Sequence, residues 1–271
     1  MEPTVDGAPL DEPAPEAVVP DPDAAAGAAP APADPGPPVS RLAALAQVVL
    51  VSGVPTQIVL AIAALAAGLR PSQDGALSLE FFAIVAFVDT ALIAALILWF
   101  LTVSRESARD VFLGRQPFGR QIALGLALVP VVFLGVGAIV LTLRAVFPGL
   151  HTVEQSPLDA FMQTPVDTAV FFVVAVLAGG VREELQRAFI LHRFDQRLGG
   201  IRVGLALFTV LFGALHVDQG VDVAIAIGTL GLFWGLVYAR RRSLVIPMVN
   251  HAGFNGAQVL QAALARALGA G

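Results

Sequence analysis

An all-α bundle of membrane-spanning helices is the fold class that this sequence predicts, and three observations carry the prediction. Apolar side chains make up 56% of the 271 residues and charged ones only 14%, with a mean hydropathy of +0.79. Ordinary globular domains hold about 25% charged residues, and a core of this size cannot hide so much apolar surface from water, so lipid covers part of it. The apolar residues are gathered into long runs, and the arginines between those runs recur in alternate loops.

Residues 1–40 are different in kind. They hold eight of the 21 acidic side chains (Glu2, Asp6, Asp11, Glu12, Glu16, Asp21, Asp23 and Asp34) and eleven of the nineteen prolines. Such a stretch cannot bury enough surface to offset the entropy of ordering it, so a disordered, solvated tail is expected. It lacks the positively charged start and short apolar run of a secretory signal peptide. Residues 41–271 form the transmembrane domain.

A bilayer crossing needs about 17–25 apolar residues. Runs of that kind are Leu42–Leu69, Phe81–Val103, Ile122–Phe147, Val166–Leu191, Val203–His216, Val221–Ala239 and Leu244–Leu268. They give about seven spans, the fifth short, and eight if the third divides at Pro130. Pro55 is expected to kink the first, which neighbouring helices tolerate.

The loops supply an independent reading. Ten arginines fall between runs two and three, four and five, and six and seven, whereas the loops around 71–79, 148–164 and 217–220 hold none. Positive residues stay on the cytoplasmic side, which places the N-terminus inside and the C-terminus outside a plasma membrane. Absence of cysteine excludes disulfide and thiolate chemistry, and no basic surface suited to nucleic acid is present. An alanine- and arginine-rich chain without lysine fits a GC-rich bacterial genome.

Ionisable side chains inside spans are costly and point to function by default. Four sites qualify: Asp89 in run two, the Glu183–Glu184 pair in run four, His216 at the end of run five and His251 in run seven. Asp89 has no motif around it and reads as a packing hydrogen bond, and His151 and His192 read as ordinary loop residues. At ~1.5 Å per helical residue, Glu183, His216 and His251 lie roughly 14–21 Å from the arginine loops, a similar depth for all three. Asn255 stands one turn beyond His251 on the same face.

That set suits hydrolysis. A carboxylate in a desolvated pocket can take a proton from water and return it, imidazoles can hold that water or a metal that activates it, and an amide N–H can stabilise an oxyanion. In sequence terms the set is Glu183-Glu184, Phe212-x-x-x-His216 and His251-x-x-x-Asn255.

These three motifs, in this order on successive membrane runs, resemble the CAAX-protease and bacteriocin-processing family of intramembrane proteases, abbreviated CPBP. The resemblance covers about residues 166–262. It departs at one point: the family carries arginine as EExxxR, whereas here Arg187 comes one residue early and Ala188 takes its place. Arg187 is still within one turn of both glutamates. The resemblance implies a membrane-embedded endopeptidase acting on a hydrophobic or lipid-anchored peptide, the first four spans serving as scaffold or lateral gate. Glu183 would activate a water, His216 and His251 would hold it, and Asn255 would donate to the oxyanion. Glu184 and Arg187 would support the base, with Phe212 packed beside them. If a divalent metal such as zinc is present, Glu183, His216 and His251 match a three-ligand catalytic site in type, and Glu184 becomes the base. The lipid bilayer and a membrane peptide are the expected partners. Two other classes stay open from the residues alone: a proton-coupled transporter, and a non-catalytic immunity or assembly protein.

Overall fold

In the computed structural model, residues 39–73 and 76–269 are described. The expected tail over residues 1–40 lies outside them except for Val39 and Ser40. The described part of the chain is an all-α membrane bundle. Among the described residues, the one extended element is a two-residue antiparallel pairing of Ser72–Gln73 with Ala76–Leu77.

The first apolar run forms two helices, α1 (Arg41–Val51) and α2 (Val54–Ala66), bent by 43°. The bend falls at Ser52–Gly53, just before Pro55. Gly53 has φ +86°, a conformation that costs glycine little, and Pro55 then sits in the first turn of α2, where its missing N–H is not needed. The second run is the unbroken 25-residue α3 (Leu79–Val103), whose N-terminus Ser78 caps by accepting from the Phe81 amide. After the short α4 (Ala108–Phe112), the third run divides into α5 (Phe118–Ala127) and α6 (Val129–Val146). Pro130 again lies in a first turn, and the two pieces make one continuous 29-residue crossing.

The fourth run is built from three parts. α7 (Pro165–Val174) opens with a capping box between Thr164 and Asp167, its backbone widens to π-helical bonding over Ala175–Arg182, and α8 (Glu183–Arg197) completes it. The 14-residue α9 (Ile201–Ala214), α10 (Val221–Arg241) and α11 (Val245–Ala267) come next.

All seven apolar runs are thus helical. By length and apolarity, four helices among the described residues are able to cross a membrane, five if the bent pair counts as one. The difference from seven has a physical origin. α9 is too short, the bent pair is broken, and α11 carries Asn250, His251 and Asn255 along an otherwise apolar length.

α10 packs chiefly on α9, and α11 packs on the π segment and on α5. α6 lies outermost, with Leu134 and Leu141 exposed as lipid-facing side chains are. The three arginine-bearing loops meet at one end: Arg242 pairs with Asp195, Glu106 with Arg193, and the Leu244 amide with the Phe112 carbonyl. At the other end Arg144 and His151 meet Asp222, and Arg266 reaches the carbonyls of Asp159 and Met162.

Candidate active site

Midway along the bundle, α11 is pressed against the π segment. A Cβ on Gly180 would stand 2.6 Å from the Ala252 backbone, and one on Gly179 would collide with the Asn255 amide nitrogen. Only glycine permits this approach. π turns are frequent at functional sites, and here the widened turn ends where Glu183 begins.

The approach inserts His251 between both glutamates. Its Nδ1 lies 2.8 Å from Glu184 Oε1, and its Nε2 lies 4.0 Å from Glu183 Oε2. An ionised carboxylate can only accept, so Nδ1 carries the hydrogen and Nε2 offers a lone pair on the Glu183 side. On α8 the two glutamates are about 100° apart around the helix axis, yet they reach one imidazole from opposite sides. Their environments differ: Glu184 is buried, whereas the Glu183 side chain keeps 18% of its surface accessible.

Arg187 explains its own displacement in the motif. From i+3 it donates through Nη1 to Glu184, and it is fully buried. Its guanidinium carbon lies 4.8 Å from the Phe212 ring, 4.9 Å from Phe208 and 5.3 Å from Trp234. Nε and Nη2 have no hydrogen-bond partner among the described residues, and the aromatic faces take their place. Phe212 is therefore a wall. Its ring centroid lies 4.9 Å from that of His216 and 6.5 Å from that of His251.

His216 closes α9. Its Nδ1 is 2.7 Å from the Phe212 carbonyl, an acceptor only, so Nδ1 carries the hydrogen and Nε2 is left for water or substrate. Asn255 donates one amide hydrogen to the Ala175 carbonyl at 3.0 Å and keeps the second. Asp89 stands outside the three motifs. Buried on α3, it accepts from Thr56 Oγ1 at 2.5 Å and Gln57 Nε2 at 3.3 Å, and it pairs with Arg182.

One residue escaped the sequence reading. Trp234 of α10 stacks on His251 with centroids 3.7 Å apart, and its Nε1 donates to Asn250 Oδ1 at 2.8 Å. Asn250 is anchored in turn to the Gly125 carbonyl. Nothing in a membrane run distinguishes such a tryptophan from one facing lipid. The polar Asn250 beside His251 was the only available signal.

The donor set decides whether a metal fits. Glu183 Oε2 and His251 Nε2 are two facing ligands, but Glu184 is committed to Arg187 and His251. Among the described residues, no three His, Cys, Asp or Glu side chains come together in metal-binding range. A three-ligand zinc cage does not fit this arrangement.

Fold and site together define a polytopic membrane bundle with a buried glutamate–histidine centre. Residues 165–257 match the family model described as Type II CAAX prenyl endopeptidase Rce1-like. The match begins at the first residue of α7 and ends two residues past Asn255, so it takes in every motif residue, and over that stretch the resemblance read from the sequence holds. Over those residues the chain is similar to that family, and the chain is a multi-pass membrane protein. No curated protein and no solved structure matches the chain.

Proposed function

We propose that the protein is an intramembrane endopeptidase in which Glu183 acts as general base on a water shared with His251. The carrying observation is the 4.0 Å gap between Glu183 Oε2 and His251 Nε2, with the ring fixed from behind by Glu184. One water making hydrogen bonds of ~2.8 Å bridges such a gap, giving one hydrogen to each group and turning a lone pair outward. As that oxygen forms a bond to the substrate carbonyl carbon, its proton passes to Glu183. The tetrahedral oxyanion is met by the uncommitted Asn255 N–H, with His216 Nε2 at the edge of the site. The C–N bond then breaks as Glu183 delivers the proton to the departing nitrogen.

The substrate class follows from the matched family and the setting: a membrane-associated peptide, a prenylated CAAX-type C-terminus being the first to test. The arginine loops support an N-terminus inside and a C-terminus outside a bacterial plasma membrane. The mechanism assigns no place to a divalent ion, and the proton path does not depend on one.

The test uses full-length protein in lipid nanodiscs and a fluorogenic peptide ending in a farnesylated cysteine and three further residues. The parent cleaves it, and Glu183→Gln lowers kcat by about 100- to 10,000-fold. His251→Ala falls comparably, and dialysis against a chelator leaves turnover in place. Unchanged turnover in Glu183→Gln overturns the mechanism. Loss on chelation with recovery on zinc overturns its metal-free form.

A further inference from the structure

We infer that Arg182, held by Asp89, is a positioning residue for the Glu183 carboxylate. This rests on the reading of Glu183 as base. Arg182 is the last residue of the π segment, outside the three motifs, and its side chain is only 12% exposed. One end of its guanidinium, Nη1, pairs with Asp89, and Nε leans on the Ala178 carbonyl at 3.4 Å. The other end, Nη2, lies 3.7 Å from Glu183 Oε1. Glu183 is therefore addressed from both sides, Oε1 by Arg182 and Oε2 by His251.

The guanidinium fork is planar and permanently charged, so fixing one nitrogen orients the other. Asp89 does the fixing. A carboxylate buried on α3 with no partner beyond the hydroxyl of Thr56 and the amide of Gln57 would be costly at this depth, and Arg182 is the cation that compensates it. The chain of contacts runs Thr56–Asp89–Arg182–Glu183–His251–Glu184–Arg187. Its three carboxylates face two guanidiniums, and each guanidinium serves one glutamate of the pair. Arg187 serves Glu184, and Arg182 serves Glu183. The bend between α1 and α2 closes over this point, since a Cβ on Gly53 would lie 3.4 Å from Arg182 Nη1.

A clamp that only joins α2 and α3 to the π segment would change stability and leave the Glu183 carboxylate as it was. The farnesylated-peptide assay is therefore run on the parent, Arg182→Gln, Arg182→Lys and Asp89→Asn. Beside it, the infrared carboxylate band of Glu183 is recorded, assigned by its loss in Glu183→Gln. Expected are a kcat about 10- to 100-fold lower in Arg182→Gln with KM nearly unchanged, and partial recovery in Arg182→Lys. Asp89→Asn keeps an acceptor for Thr56 and is expected to lower kcat in the same direction. The Glu183 band shifts in both Arg182→Gln and Asp89→Asn. An unshifted band, or kcat equal to the parent, overturns the assignment. If Arg182→Gln does not fold, Asp89→Asn carries the test by the same two measures. If the parent does not cleave the peptide, the proposed activity fails for that substrate, and the infrared band alone decides the positioning role.

Discussion

Two adjacent glutamates with one histidine between them divide their work by burial. Glu184 holds the His251 Nδ1 and the buried Arg187, so removing its charge strands a cation inside the bundle, at a cost of about 3–5 kcal/mol. Glu183 touches neither group so closely and keeps part of its surface accessible. Glu184→Gln is therefore expected to lower the thermal midpoint in nanodiscs sharply, and Glu183→Gln to leave it near the parent value while lowering kcat by about 100- to 10,000-fold. Equal midpoints for the two variants would reverse the assignment of base and support. Much of this centre was legible at the residue scale, because an ionisable side chain inside an apolar run is conspicuous. Glu183, Glu184, His216 and His251 all announced themselves that way. Trp234 did not, since its stacking on His251 depends on how α10 and α11 cross, which no single run encodes.

Among the elements, the π segment is the one on which the site depends. The wider turn over Ala175–Arg182 and the glycines at 179 and 180 let α11 come close enough for His251 to enter between the glutamates. Gly180→Ala places a methyl group 2.6 Å from the Ala252 Cα, so the helices must part, at a cost of about 1–3 kcal/mol as in other overpacked cores. A lower thermal midpoint together with a large fall in kcat is expected, because parting the helices widens the Glu183–His251 gap. A variant with full turnover would show that the tight approach is dispensable. Sequence periodicity could not reveal the π turn, since an apolar stretch such as AVLAGGV reads the same in either helix. The bend in the first run was legible as a consequence of Pro55, but its position was set just ahead of the proline by Gly53, the residue able to take a positive φ.

For the whole molecule, the arginine pattern and the fold give the same division of ends. Loops that share arginine in the sequence touch one another in space, as Arg242–Asp195 and Glu106–Arg193 do. The count of spans was less legible, because α11 trades apolarity for the polar residues of the site and a hydropathy scan cannot tell a functional helix from a weak one. The arginine end is also where acid should first loosen the bundle. Burial alone would raise the Glu106 pKa, but hydrogen bonds from His192, Gln196 and Arg193, with the charge of Arg193, outweigh it and hold Glu106 at about 2, against an ordinary 4.5. A carboxylate whose pKa is depressed on folding adds stability that is complete above its unfolded pKa and disappears as pH falls through the folded one. The contribution of Glu106 is thus whole above pH 4.5 and lost between there and about 2. Because Arg193 is buried and also holds Gln47 and Gln196, that contribution ties α1 and the end of α3 to α8. Thermal midpoints of the parent and Glu106→Gln, measured from pH 7 downward, are expected to differ most at neutral pH and to converge below 4.5. A gap that persists unchanged to about pH 2 would mean that Glu106 acts there by shape rather than by charge.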